Sequence, residues 1–225
     1  MCGRFTQQRP SAELAALFGA EDLAETPGER YNLAPQQLGL VVVERDDLRR
    51  AIVPYRWGLI PSWAKDASIG SRMINARAET IAEKPSFRAA FRRRRCLVPA
   101  DGYFEWQKAG SGKQPYYIRL EDDRPFAMAG LWESWLNPAT NETLQSCTVI
   151  TTQANQLTQP IHDRMPVILD MADYEMWLDP QLQDPDRLGI LLRPFEGSTL
   201  RADPVGTYVN SPRNDDPRCV ELRSG

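Results

Sequence analysis

The stretch Cys96-Leu97-Val98-Pro99-Ala100-Asp101-Gly102-Tyr103-Phe104-Glu105-Trp106 decides how the chain is read. It runs into a strand in which one carboxylate stands between two aromatic residues. Strand side chains alternate between faces, so if Phe104 and Trp106 share one face, Glu105 takes the other. Two readings of Glu105 follow: a solvent-facing strand carboxylate, or a pocket acid whose pKa is raised by apolar walls. Alternation alone does not choose between them. Downstream, Ala109-Gly110-Ser111-Gly112-Lys113 is a hairpin loop with residues 115–120 as its return strand. Its Gly-Ser-Gly-Lys string lacks the spacing of a phosphate loop and lies between strands, so it is a turn.

Working outward, residues 126–135 and 145–152 predict a second strand pair across 137–142, and 40–44 with 51–57 a third across 45–50. Residues 200–209 and 219–222 are expected to be closing strands. Helices are few. Ser11 is positioned to cap a helix through Phe18, with Leu14, Leu17 and Phe18 on one face, and Thr26-Pro27-Gly28 ends that region. A helix through Phe87, Ala90 and Phe91 carries Arg92-Arg93-Arg94-Arg95 at its end, where cations complement the macrodipole. Residues 170–178 and 184–192 have amphipathic helical periodicity. Tyr31-Asn32-Leu33-Ala34-Pro35 predicts an ordered loop, and Trp57-Gly58-Leu59-Ile60-Pro61-Ser62-Trp63 an irregular one in which Trp63 is the more exposed tryptophan. Many short strands and a few helices in 225 residues predict one domain, 1–225.

Composition narrows the function. No apolar run is long enough to cross a membrane and no signal peptide opens the chain, so a cytoplasmic protein without membrane contact is expected. Cys2, Cys96, Cys147 and Cys219 are scattered, which argues against a disulfide framework or a cysteine zinc site. The single histidine, His162, excludes multi-histidine metal centres but not a carboxylate site for a hard cation, and neither metal nor cofactor is expected. A net charge of −3 does not favour nucleic acid, yet 23 of the 27 basic residues are Arg, whose forked donors match phosphate.

Two further features carry chemistry. Cys2 is small enough for Met1 to be trimmed, which would leave a free α-amine beside a thiol. Such a 1,2-aminothiol condenses with an aldehyde, the amine giving a Schiff base and the sulfur closing a thiazolidine ring. In model compounds both groups have a minor reactive fraction near neutrality. His162, in Pro160-Ile161-His162-Asp163-Arg164-Met165-Pro166, is suited to shuttle a proton, with Asp163 or another carboxylate able to fix its tautomer. Without further context, Cys2 is an accident of composition and His162 an ordinary loop residue.

Six ordered motifs change that balance: Met1-Cys2-Gly3-Arg4-Phe5, Tyr31-Asn32-Leu33-Ala34-Pro35, Trp57-Gly58-Leu59-Ile60-Pro61, Asn75-Ala76-Arg77-Ala78-Glu79-Thr80, Asp101-Gly102-Tyr103-Phe104-Glu105-Trp106 and Ile161-His162-Asp163-Arg164-Met165-Pro166. Together they resemble the SRAP family, the SOS-response-associated peptidases. The resemblance runs from residue 1 to about residue 170, and 205–210 extend it. It implies an α+β fold, a single domain with a mostly antiparallel β-barrel-like core and peripheral helices.

The resemblance also implies action on abasic sites in single-stranded DNA, through a covalent link to the N-terminal cysteine that shields the lesion. On that basis Cys2, Asn75, Glu105 and His162 are the expected catalytic residues. Glu105 serves the amine and carbinolamine steps, His162 the sugar oxygen, and Asn75 holds the N-terminal residue. Arg4, Arg77 and Arg164 match DNA-contacting positions, Trp63 and Trp106 are placed to stack on bases, and Thr151 is grouped with them. The expected partner is single-stranded DNA containing an abasic site, with strand junctions an open question, and the expected state a monomer, cytoplasmic and nucleoid-associated on damaged DNA. No tail for a replication partner is expected beyond Arg223-Ser224-Gly225. Two other classes stay open: an N-terminal-nucleophile peptidase using Cys2 and His162, for which no oxyanion signature is present, and a non-catalytic single-strand-binding module.

Overall fold

A computed structural model of the chain describes residues 2–25, 28–45, 47–196 and 199–223. Met1, the Thr26-Pro27 pair expected to end the first helical region, and Ser224-Gly225 lie outside the described residues. In chain order the first half contains β1 (Phe5–Gln7), α1 (Ser11–Phe18), β2 (Glu21–Asp22), β3 (Arg30–Leu33), β4 (Leu38–Glu44), β5 (Arg50–Trp57), β6 (Asn75–Arg77), α2 (Arg88–Arg93) and β7 (Arg95–Ala100). The second half contains β8 (Gly102–Ala109), β9 (Gly112–Leu120), β10 (Phe126–Leu136), β11 (Thr143–Gln153), β12 (Arg164–Pro166), β13 (Ile168–Leu169), α3 (Tyr174–Leu178), α4 (Pro185–Gly189) and β14 (Leu200–Pro204).

Strands β11, β10, β7, β4 and β5 pair in that order, all antiparallel, and the sheet closes where β11 pairs parallel with β5 at Ser146–Arg56 and Cys147–Trp57. The result is a five-stranded barrel. A second sheet, β14-β9-β8-β1-β3, lies beside it. Closure depends on a turn at Gly58, whose φ of 129° is open to glycine, and whose imagined Cβ would sit 2.5 Å from the Gly70 carbonyl oxygen.

Both faces of the barrel strands are covered, so β4 is an almost unbroken apolar run and not an alternating one. Leu40 and Val42 pack against Leu14 and Phe18 of α1, with Ala90 and Phe91 of α2 and Trp177 of α3 in the same cluster. Helices can cover only the outside of so narrow a barrel, so the opposite set lines its inside: Val41, Val43, Trp57, Cys96, Val98, Met128, Cys147 and Val149. The second sheet adds Phe5, Tyr103 and Ile118 to that inner cluster, and Cys2 joins them. The start of the chain is thereby set against the barrel interior.

The α+β, barrel-cored reading holds, as do the three hairpins, with β10 and β11 longer than expected. Other expectations are corrected. Ser11 does not cap α1; its hydroxyl bonds Asp22, and Pro10 occupies the cap position. Leu17 points to solvent, and Ala15 joins Leu14 and Phe18 in the core. Tyr31–Leu33 belong to strand β3, not to a loop, because β1 supplies an antiparallel partner far away in sequence. Only Tyr174–Leu178 and Pro185–Gly189 of the two expected late helices are α-helical. The closing strands shorten to β14, followed by 3-10 turns at Thr207–Asn210 and Pro217–Val220 and a single bridge between Val205 and Leu222.

The tetra-arginine run divides. Arg92 and Arg93 are exposed, whereas Arg95 is buried and donates to the carbonyls of Phe91 (2.8 Å), Arg92 (2.6 Å), Trp177 (2.5 Å), Leu182 (3.0 Å) and Asp179. Burial lowers its pKa to about 10. Arg95 is therefore a bolt that joins the end of α2 to the end of α3 by saturating carbonyls that the helices leave open.

Candidate active site

The site is built on β1 and β8. Phe5 pairs with Tyr103 and Thr6 with Gly102, and the ladder continues as Phe104 N–H donates to the Arg4 carbonyl at 2.9 Å. Three side chains hold β1 in place. Phe5 meets the edge of Trp57 with centroids 4.9 Å apart. Thr6 shares a 2.9 Å hydrogen bond with the Tyr117 hydroxyl. The buried Gln7 amide bridges β4 and β7, donating to the carbonyls of Leu40 and Pro99 and accepting from Leu40 N–H.

The residues before β1 thus enter the inner cluster. Cys2 is 0% exposed. Asn75 Nδ2 donates to the Cys2 carbonyl at 2.8 Å, and Asn75 is itself fixed because β6 pairs with β11 and because the preceding Ile74 carbonyl accepts from Trp57 Nε1 at 2.8 Å. Asn75 Oδ1 is buried and accepts no hydrogen bond among the described residues. Burial, reinforced by the nearby Glu105 charge, pushes the Cys2 thiol far above its ordinary value. Burial thus shifts this thiol away from the model-compound behaviour on which the expectation of a reactive fraction rests.

Alternation in β8 is as expected, and burial answers the question that it left open. Phe104 and Trp106 pack with Tyr117 and Val209 on one face, while Tyr103 and Glu105 turn to the other, where Tyr103 joins the cluster of Cys2. Glu105 is 3% exposed, and burial pushes its carboxyl up to about 7. Two residues along the same face, Gln107 Nε2 donates to the Pro160 carbonyl at 2.9 Å and ties β8 to the loop that carries His162. The backbone N–H of Arg164 donates to His162 Nδ1 at 3.0 Å. Asp163 Oδ1 also lies 2.9 Å from that nitrogen, a contact that favours a charged ring, but burial lowers the His162 pKa. Nδ1 thus faces both the Arg164 backbone amide and the Asp163 carboxylate, the carboxylate that was expected to orient the ring.

The other expected residues fall into three groups. Arg77 and Trp63 are exposed, Trp63 at 59%, with Trp57 buried as expected. Arg4 and Trp106 are partly buried and engaged with the protein itself. Arg4 donates to Asn32 Oδ1 (2.8 Å) and to the carbonyls of Val209 (3.0 Å) and Asn210 (3.4 Å), lies 5.8 Å from the centre of the Trp106 ring, and Trp106 Nε1 donates to Asn210 Oδ1. Arg164 forks onto Glu79 (2.7 and 3.0 Å) and donates to the Thr151 carbonyl at 2.6 Å. Thr151 is fully buried, its hydroxyl accepting from Arg164 at 3.4 Å and donating to the Ala76 carbonyl at 3.5 Å. Asn32 and Gln107 were not singled out from the sequence. Gln107 had a signal, since it stands two residues from Glu105 on one strand face; Asn32 had none, because its partners lie near residue 210.

These geometries can be set beside known proteins. The SRAP profile, described as SOS response associated peptidase, matches residues 1–212, and the chain belongs to that family. It is 44% identical over 225 residues to the abasic site processing protein YoqW of Bacillus subtilis, covering 98% of this chain and 99% of the relative. It is 37% identical to the abasic site processing protein HMCES of Gallus gallus, covering 84% of this chain and 65% of that longer protein. A crystal structure of a protein from Bacteroides thetaiotaomicron superposes with a TM-score of 0.91 at 32% identity, covering 99% and 100% of the two chains.

Proposed function

We propose that this protein processes abasic sites in single-stranded DNA by forming a covalent link through Cys2 after loss of Met1. One observation carries the reading: the Cys2 backbone is clamped by Asn75 beside a buried acid, Glu105, that is held near neutrality. The names of the relatives support the choice of lesion.

The chemistry follows from the groups present. The Cys2 α-amine adds to the aldehyde carbon of the ring-opened sugar, forming a C–N bond and a carbinolamine. Protonated Glu105 gives its proton to the departing hydroxyl, water leaves, and a protonated Schiff base remains beside the Glu105 carboxylate. Sulfur then adds to the imine carbon. As the C–S bond forms, the Glu105 carboxylate takes the thiol proton and nitrogen keeps its own, closing the neutral thiazolidine with one water lost in all and Glu105 protonated again. A carboxyl titrating near 7 has both forms available for these opposite duties. The raised thiol pKa makes the amine the first nucleophile and the sulfur the group that makes the bond durable. His162 donates to the sugar oxygen as the ring opens. Arg77 and Arg164 neutralise phosphates around the lesion, Trp63 and Trp106 stack on bases, and Arg4 and Thr151 position Trp106 and Arg164.

The mature protein incubated with a single-stranded oligonucleotide bearing one abasic site is expected to give a heat-stable adduct of the summed mass less one water. Cys2→Ala is expected to give none. Cys2→Ser should give an unstable adduct trapped only by borohydride. An equally durable Cys2→Ser adduct would remove the thiazolidine step, and no adduct with the unaltered protein would remove the reading. The peptidase reading, which the family description favours, predicts instead amide cleavage that Cys2→Ser partly preserves.

A further inference from the structure

Positive charge is segregated on this molecule. Residues 56–93 contain eight arginines and lysines and three carboxylates, on a chain whose net charge is −3. Two of those carboxylates are occupied: Glu79 holds Arg164, and Asp66 accepts the Ser68 N–H. Elsewhere most arginines are paired, as Arg30 is with Asp215, Arg94 with Glu133 and Arg218 with Asp216.

Lys84, Arg88 and Arg92 stand out within this segment. All three are exposed, and among the described residues none has an ion-pair partner. Arg88 and Arg92 line one surface groove with Ala82, Ala89 and Glu83. Their placement works against the helix that bears them. Arg88 opens α2 with no acidic residue in its first turn, which opposes the dipole, and Arg92 repeats the charge one turn later. Arg95 already saturates the last carbonyls, so the exposed cations are not needed there. The ridge is also continuous with the site. Arg77 leads into the turn Ala78–Thr80, Glu83 and Lys84 N–H groups both bond the Thr80 carbonyl, and Phe87 and Arg88 N–H groups both bond that of Lys84.

We propose that Lys84, Arg88 and Arg92 form a phosphate track that carries the single strand flanking the lesion away from the reactive centre. This rests on the single-strand reading of the preceding subsection and extends it: the footprint reaches past Arg77 along α2, and charge complementarity to a polyanion is what the ridge offers. The track itself is blind to sequence, because phosphate contacts position and do not specify.

The test uses strands carrying a tetrahydrofuran abasic analogue, which has no aldehyde and therefore binds reversibly. One strand has about six nucleotides and the other about sixteen, a short and a long length within the usual single-strand site range. With three added phosphate contacts at roughly 0.7 each, the salt slope of the unaltered protein should be steeper on the long strand by about 2. Combined K84S, R88Q and R92Q should erase that difference and leave the short strand unaffected; Arg88→Glu alone should weaken the long strand only. Equal slopes for both lengths in the unaltered protein, a persistent difference in the variant, or equal weakening of both strands would each overturn the track. Failure of the underlying reading looks different: the unaltered protein would then form no adduct with a true abasic aldehyde on the short strand.

Discussion

Arg95 and Glu105 are the two most informative buried charges of the molecule, ten positions apart on the consecutive strands β7 and β8 of different sheets, and they are treated in opposite ways. Arg95 sits in the seam between α2, α3 and β7 with five carbonyl oxygens around its guanidinium. Nothing there awaits a partner. Glu105 sits beside Cys2 at the inner cluster, held near neutrality by burial. A buried ion with saturated donors fastens helices together; an acid that burial raises towards the working pH is what the proposed chemistry requires.

The largest expected effect tests the first half of that contrast. Arg95→Met leaves five carbonyls without their donor and should lower stability by about 3–5 kcal/mol, or about 10 °C in the thermal midpoint. The adduct formed per folded molecule should not change. A variant that folds as firmly as the parent would show that the seam does not depend on this residue.

Glu105→Gln tests the second half and should slow adduct formation by about 10²-fold, measured as a single-turnover rate on abasic single strands. It also has a signature in stability. A carboxyl whose folded pKa is raised binds its proton more tightly when folded, so its contribution is complete below the unfolded value near 4.5 and is lost as pH climbs through about 7. The parent should lose about 3 kcal/mol across that window through this residue, and Glu105→Gln should flatten the profile. Parallel profiles for the two proteins would mean that Glu105 is not held protonated.

Asn75→Ala is expected to act more mildly, slowing the adduct by about 10-fold by releasing the Cys2 backbone, with a stability loss of about 1 kcal/mol seen in denaturant unfolding. An unaffected rate would mean that the 2.8 Å bond to Cys2 merely holds the chain start.

The contrast also explains what the sequence made legible. The hairpins of β4–β5, β8–β9 and β10–β11 announce themselves through β-rich runs around turn residues, because their partners are adjacent in sequence. Strands β1, β3 and β6 are invisible by that route, since Phe5 finds Leu33 and Tyr103, and Asn75 finds Val149. Periodicity gave the face of Glu105 but not its burial, which depends on the barrel behind it. The motif order drew Cys2, Asn75, Glu105 and His162 together, whereas the bolt at Arg95 looked like one more member of a basic run. Its partners are backbone carbonyls, which every sequence possesses and none displays.

The smallest predicted effect carries the contrast to the surface. Arg77 and Arg164 flank Thr151 on neighbouring strands, at Thr151–Arg77 of β11–β6 and Gln153–Arg164 of β11–β12. Arg164 resembles Arg95 in miniature, with Glu79 and the Thr151 carbonyl claiming its fork, while Arg77 is exposed. A cation already committed must give up a partner to meet phosphate, and a free one need not. Arg77→Ala should therefore flatten the salt dependence of single-strand binding by about 0.7, one phosphate's worth, with little change in stability. Arg164→Ala should flatten it less, because freeing Glu79 and binding phosphate partly cancel, and should cost stability as Thr151 loses this donor. Equal slopes for the two variants would show that the Glu79 fork opens freely to DNA, and that commitment within the fold does not decide which surface arginines bind it.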